Sequence, residues 1–297
     1  MLNEKIAVIT GAASGIGRAS VISFLNHGAC VVAADINVKA GTDLMTEVKK
    51  LGCGDRFRFQ RCDVAEEADV RTSIRLARQE FGGLDCLFNN AGVGGAFGAV
   101  TDISMADWDK TFAILTRSVF LGIKHAAKEM IDLGSGGTII NTASIAGLSA
   151  GAGSMAYSAA KAAVINITQS AAVSLAEHKI RVNAISPGLI LTPLIHRGHR
   201  EKLSEQLFAA QPWPEPGLPE HVADLATFLA SDMSRFITGE SITIDGGLTA
   251  SGPALFTGHN PIGKLINSCI TDGLGREQTD TAGSGGSAGF DQGTSDT

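Results

Sequence analysis

The chain lacks any apolar stretch approaching the ~18 residues that span a bilayer. Its first residues, Met1-Leu2-Asn3-Glu4-Lys5, enter a strand-like run at once and show no targeting pattern. Runs of lysine or arginine are also missing. With a formal net charge of −6, nothing is on offer to neutralise a phosphate backbone or an anionic lipid face. Nucleic acid and membrane are therefore not expected as partners, and a cytoplasmic location is. The five cysteines, Cys30, Cys53, Cys62, Cys86 and Cys269, keep no metal-type spacing, and buried free thiols in a reducing compartment are the plainer reading. Aromatics make up 5% of the chain, and Tyr157 is its one tyrosine.

What is present is the composition of a soluble globular protein, 44% hydrophobic and 18% charged. Short apolar runs alternate with longer helical patterns, which is the signature of βαβ units. Strands are expected from Ile6 to Thr10, Cys30 to Asp35, Arg56 to Cys62, Leu84 to Asn89, Thr138 to Ala143, Arg181 to Ser186 and Ser241 to Asp245. Helices are expected near Gly15 to His27, Val38 to Leu51, Glu66 to Phe81, Ala106 to Leu133, Tyr157 to His178 and Pro219 to Ser231. The sum is one α/β domain over residues 1–250, doubly wound, with a seven-stranded parallel sheet and helices on both faces. Between about 193 and 218 the pattern turns irregular around Pro212, Pro214 and Pro216, a candidate lid. Residues 251–297 form a C-terminal extension whose Gly, Ser, Thr and Asp content from about Thr271 predicts disorder.

The first strand runs into Gly11-Ala12-Ala13-Ser14-Gly15-Ile16-Gly17 and then a helix. Glycines let the backbone turn sharply and approach a pyrophosphate, while the helix N-terminus offers free N–H groups, so Gly11, Ser14, Gly15, Ile16 and Gly17 are candidate cofactor contacts. The second strand ends at Asp35, where a carboxylate meets adenosine ribose hydroxyls and repels a 2′-phosphate. Ile36 follows, and neither Ala13 nor Ser14 is basic, so no cation stands ready for NADP and the expected cofactor is NAD. Asp63-Val64 places a carboxylate either against the adenine amine or as a cap on the helix near Glu66.

Tyr157 and Lys161 stand four apart on one helix, so their side chains share a face and converge on one ligand. A phenol ionises near pH ~10, and a neighbouring ammonium or an oxidised nicotinamide favours the phenolate. Lys161 is thus expected to tune Tyr157. The pair His196 and His199 has no third ligand in view and reads as part of the lid.

Taken together, Thr10-Gly11-Ala12-Ala13-Ser14-Gly15-Ile16-Gly17, Asn89-Asn90-Ala91-Gly92, Ser144 with Tyr157-Ser158-Ala159-Ala160-Lys161, Pro187-Gly188 with Thr192, and Asp245-Gly246-Gly247 resemble the short-chain dehydrogenase/reductase family over about residues 3 to 250. The resemblance implies a Rossmann-type domain, a nicotinamide cofactor and a homotetramer. It implies a catalytic set of Ser144 holding the substrate oxygen, Tyr157 as general acid and base, and Lys161 holding the nicotinamide ribose. It adds Asn90, Ala91, Gly92, Pro187, Gly188, Ile190 and Thr192 as cofactor contacts, Thr192 through the nicotinamide carboxamide. One position departs. Aligning the helix after Trp108 puts Leu115 where many members carry an Asn that completes a catalytic tetrad, and its spacing with Trp108, Phe112, Val119 and Ile123 reads as core filling.

The expected activity is NAD-dependent interconversion of a secondary alcohol and a ketone. Leu194, Ile195, Leu203, Leu207, Phe208 and Trp213 in the lid suggest an apolar or alicyclic substrate. A non-catalytic dinucleotide-binding sensor or assembly protein is the alternative, which Leu115 favours. A third is an isomerase or dehydratase that uses bound NAD without net turnover.

Overall fold

The computed structural model describes residues 1–196 and 211–251. By internal contacts the chain divides into Met1–Ala250 and Ser251–Thr297, and the sheet with all its helices belongs to the first. The sheet is built from β1 (Ile6–Thr10), β2 (Cys30–Asp35), β3 (Phe57–Arg61), β4 (Cys86–Asn89), β5 (Gly137–Thr142), β6 (Ile180–Pro187) and β7 (Ser241–Ile244). All neighbours are parallel, in the order β3-β2-β1-β4-β5-β6-β7. The chain winds outward from β1 to β3, then crosses back to β4 and winds the other way. That reversal leaves a crevice at the carboxyl ends of β1 and β4, the place where such sheets take ligands.

The inner strands are buried on both faces, and so they read as continuous apolar runs such as Val31-Val32-Ala33-Ala34. Edge strand β3 shows alternation instead, Phe57-Arg58-Phe59-Gln60-Arg61. Helices α1 (Gly15–Asn26), α2 (Val38–Lys50) and α8 (Pro219–Ala230) cover one face around Phe24, Leu44, Phe88 and Val222. Helices α3 (Glu67–Phe81), α5 (Ser118–Leu133) and α6 (Met155–Leu175) cover the other around Ile74, Leu87, Met130 and Val164. The remaining α-helices among the described residues are α4 (Met105–Phe112) and the one-turn α7 (Pro193–His196).

Two helices differ from expectation. The segment expected as one helix from Ala106 to Leu133 is α4, a π-helical turn over Ala113–Arg117, and α5. Hydroxyls take carbonyls around that turn: Ser118 Oγ donates to the Ile114 carbonyl at 2.5 Å and Thr116 Oγ1 to Ala160 of α6 at 3.2 Å. The helix expected to end at His178 ends at Leu175 and tightens into a 3-10 turn over Ala176–His178, closed by Lys179 at φ 57°. Strand ends shift by one or two residues.

The lid residues Arg197, His199, Arg200, Leu203, Leu207 and Phe208, and the extension from 252 with its expected disorder, lie outside the described residues. No helix among the described residues is long and apolar enough to cross a membrane.

Candidate active site

The glycine turn after β1 needs its glycines for space. Gly11 sits at φ +62°, and a Cβ on Gly17 would lie 2.0 Å from the Gly11 carbonyl oxygen. Ser14 is the N-cap of α1, yet its side chain makes no cap bond and the first turn carries no acidic residue. Among the described residues no side chain caps the N–H end of α1, the arrangement an anionic group takes up. Thr10 and Asn90 brace the turn: Thr10 Oγ1 accepts from the Asn90 and Ala91 amides at 3.0 and 3.1 Å, and Asn90 Nδ2 donates to the Thr10 and Gly11 carbonyls at 3.0 and 3.3 Å. The Asn90 side-chain nitrogen is thus taken up by the fold.

Asp35 at the end of β2 is buried, with one carboxylate oxygen accepting from the Ala13 amide at 2.9 Å and the other from Asn37 at 2.8 Å. Ile36 beside it is exposed. Asp63 accepts from the Ala65 amide at 3.0 Å, an Asx turn, while the N-cap of α3 is Glu66. Of the two expected roles for Asp63, the helix cap is thus set aside.

At the other end, α6 carries Tyr157 and Lys161 toward Ser144, which follows β5 and opens a short 3-10 turn. Ser144 accepts from the Ala146 amide at 3.1 Å and shares the cavity wall with Tyr157. The Lys161 ammonium lies 5.7 Å from the centre of the Tyr157 ring and donates to the Thr142 carbonyl at 2.6 Å. Lys161 is 3% exposed, and burial pushes its ammonium down to about 8. Burial also raises the Tyr157 phenol above its ordinary value, with the Ser144 hydrogen bond working against the rise. The expected lowering of Tyr157 by Lys161 is therefore not what the protein groups give: desolvation of the phenol wins.

These pieces line one cavity of about 370 Å³. Its wall includes Gly11, Ser14, Gly15, Ile16, Asp35, Ile36, Asp63 and Val64 at one end. Ser144, Tyr157, Lys161, Pro187, Gly188, Ile190 and Thr192 stand at the other, with Asn90, Ala91 and Gly92 between. Gly17 is not on the wall, because it lies behind Gly11. Thr192 folds back over the turn, with its methyl 3.3 Å from where a Gly15 Cβ would be. Residues not foreseen as lining are Cys62, Val93, Ile114, Thr142, Ala143 and Pro193. Leu115 is 1% exposed, as core filling requires, and also reaches the cavity wall. The thiol of Cys62 is pushed up to about 11 by burial, so it is not a nucleophile at neutral pH.

Residues 11–249 match a family model described as "Enoyl-(Acyl carrier protein) reductase". The chain is 36% identical over 255 residues to "Short-chain dehydrogenase reductase 3a" of Arabidopsis thaliana, covering 85% of this chain and 98% of that protein. It is 40% identical to "Cis-4-hydroxycyclohexanecarboxylate dehydrogenase" of Sinomonas cyclohexanicum, over 83% of this chain and 97% of that one. Among solved structures, levodione reductase superposes with a TM-score of 0.80 at 30% identity, over 84% of this chain and 100% of its own.

Proposed function

The chain belongs to the short-chain dehydrogenase/reductase family and is an oxidoreductase, and from that premise we propose that it interconverts a secondary alcohol and a ketone with NAD as hydride partner. The observation that carries the reading is a cavity with Ser144, Tyr157 and Lys161 together on the wall at one end and a helix N-terminus without a side-chain cap beside Asp35 at the other. The donor set fits a dinucleotide. Gly11, Ser14, Gly15 and Ile16 would take the pyrophosphate; Asp35 and Ile36, the adenosine ribose; Asp63 and Val64, the adenine. Asn90, Ala91, Gly92, Pro187, Gly188, Ile190 and Thr192 would flank the nicotinamide end, and Lys161 its ribose. The bound nicotinamide supplies the hydride acceptor in oxidation and the donor in reduction.

In oxidation, Ser144 holds the alcohol oxygen and Tyr157 takes its proton as the carbon loses hydride; in reduction Tyr157 returns it. Burial holds the Tyr157 phenol protonated at neutral pH, so its service as a base needs a positive charge nearby, which an oxidised nicotinamide would supply. Val93, Leu115, Leu194 and Ile195 on the wall favour an apolar, alicyclic substrate, and a relative named for a hydroxycyclohexane carboxylate supports the same choice. Leu115, carbon where the family resemblance implies an Asn, favours the second reading, a cofactor-binding sensor without turnover.

An NADH absorbance assay over a panel of cyclic alcohols separates the two. Turnover with at least one alcohol is expected, and Tyr157→Phe is expected to lose on the order of 10²–10⁴ of it with NAD affinity little changed. A Tyr157→Phe protein as active as the parent would sink the proton-transfer assignment. No turnover at all, with NAD tightly held, would favour the sensor.

A further inference from the structure

The loop that leaves β4 is pinned at both ends by threonine hydroxyls. Thr10 Oγ1 accepts from the Asn90 and Ala91 amides at 3.0 and 3.1 Å, and Thr111 Oγ1, on α4, accepts from the Ala96 amide at 2.9 Å. The Thr111 hydroxyl donates its own proton to the Asp107 carbonyl at 2.7 Å, which fixes the oxygen with a lone pair left for the loop. Thr111 and Ala96 are both buried, so that amide has little water to turn to if the oxygen is lost. Between the pins run Gly92, Val93, Gly94 and Gly95, and the one side chain there is Val93. Val93 lines the cavity. The seat is close: a Cβ on Gly92 would lie 3.4 Å from Leu115 Cδ2, and one on Gly95 would lie 2.7 Å from the Thr111 methyl and 3.6 Å from Tyr157 Cβ. The loop therefore rests on Thr111 and Leu115 and passes beside Tyr157.

We propose that Thr111 is a positioning residue for substrate choice: its hydroxyl holds Val93 at the cavity wall, and Val93 so held sets which ring sizes of cyclic alcohol reach Ser144 and Tyr157. The inference rests on the function proposed above. Loss of the hydroxyl acts on the loop in two ways. A methyl in its place, as in Thr111→Val, stands 2.9 Å from the amide nitrogen, inside an ordinary contact distance of about 3.5 Å, and the amide is left without its acceptor. Both effects push the glycine-rich segment off α4 and carry Val93 with it. The cofactor half of the loop is spared, because Asn90 and Ala91 keep the Thr10 hydroxyl. Substrate preference and cofactor affinity thus come apart, which a residue that merely held the fold together would not produce.

The experiment is a double-mutant cycle on Thr111→Val and Val93→Ala, with Thr111→Ser beside it. It reads kcat/KM over cyclic alcohols from cyclopentanol to cyclododecanol, and NAD affinity by calorimetric titration. Val93→Ala removes apolar bulk from the wall and is expected to shift the preference toward larger rings by about tenfold. One neutral hydrogen bond corresponds to roughly a three- to tenfold change, and Thr111→Val is expected to shift the ring-size preference by about that factor, mostly through KM, with NAD affinity unchanged. Thr111→Ser should keep the preference of the parent. On the Val93→Ala background, Thr111→Val should change the preference no further, since the side chain through which it acts is gone. An unchanged preference in Thr111→Val, a full further change on the Val93→Ala background, or NAD weakened along with substrate overturns the proposal. Should Thr111→Val not fold, Thr111→Ala takes its place in the cycle, since it removes the same acceptor without setting a methyl against the amide. The parent assay tests the function separately: a parent inactive on every alcohol refutes that reading and this proposal with it, whereas an active parent whose cycle fails refutes the proposal alone.

Discussion

Exchanging Asp35 for Ser and Ile36 for Arg acts at the one place where NAD and NADP differ, the 2′-phosphate of the adenosine ribose. Two like unit charges about 4 Å apart repel by about 1 kcal/mol in bulk water and about 4 kcal/mol at an effective dielectric constant near 20. Asp35 is 9% exposed on the wall of a cavity open to solvent, between those limits. Removing its charge should thus improve NADP relative to NAD by roughly fivefold to several hundredfold. Position 36 is 57% exposed, so an arginine there enters solvent without disturbing the core and meets the phosphate as a charge-assisted donor. The exchange also has a structural cost. Asp35 holds the Ala13 amide of the glycine turn and the Asn37 amide, and a serine oxygen can keep at most one of them. Losing a hydrogen bond to a charged acceptor costs about 1.5–3 kcal/mol, a drop of several degrees in melting temperature for a domain of this size. Asp35→Asn also keeps only one of the two amides, because its NH2 faces the other N–H, so it reports the loss of charge and of one hydrogen bond without the added arginine. The assay is the ratio of kcat/KM for NADP over NAD beside a thermal melt. A folded double variant whose ratio stays that of the parent refutes the assignment of Asp35.

Two further outcomes follow from the buried groups. Lys161→Met should abolish turnover and stabilise the cofactor-free protein, because a lysine held at about 8 against an ordinary 10.5 carries a charge-burial cost on the order of 3 kcal/mol at neutral pH. Since the folded value lies below the unfolded one, the parent gains stability as pH rises from about 8 toward 10.5, and melts across that window should show the difference between the two proteins closing; a constant difference would count against it. Leu115→Asn places an amide at a site 1% exposed and should cost roughly 1–3 kcal/mol, lowering the melting temperature without raising turnover by more than a few-fold. A stable Leu115→Asn protein with tenfold higher turnover would mean that the natural chain is relay-impaired.

The strands were legible because inner strands of a parallel sheet are apolar throughout, as Val31 to Ala34 are, and because glycine turns and helix periodicity punctuate them. The break at Ala113–Arg117 was not legible. The apolar positions Trp108, Phe112, Leu115, Val119 and Ile123 keep helical spacing straight through it, and the hydroxyl bonds of Thr116 and Ser118 depend on neighbours that spacing does not encode. At the candidate site, motifs located most of the residues that line the cavity, since each motif brings its chemistry to a strand end. Thr142 escaped because a threonine ending a strand is ordinary; only the three-dimensional setting shows its carbonyl taking the Lys161 ammonium. The balance on Tyr157 escaped for a similar reason, because desolvation is a property of the packed surroundings and not of the spacing to Lys161.

The braces on the glycine turn bear on how such proteins can be recombined. The turn spans Gly11 to Gly17, but beside the Asp35 carboxylate on the Ala13 amide it is braced by the Thr10 hydroxyl and the Asn90 side chain, eighty positions apart in sequence. A chimera with its crossover anywhere between 11 and 90 pairs one parent's turn with the other parent's brace, and it keeps the geometry only where both parents agree at residues 10 and 90. The cofactor loop of this chain is thus a two-part module, and grafting the glycine segment by itself transfers the turn without what keeps it in place.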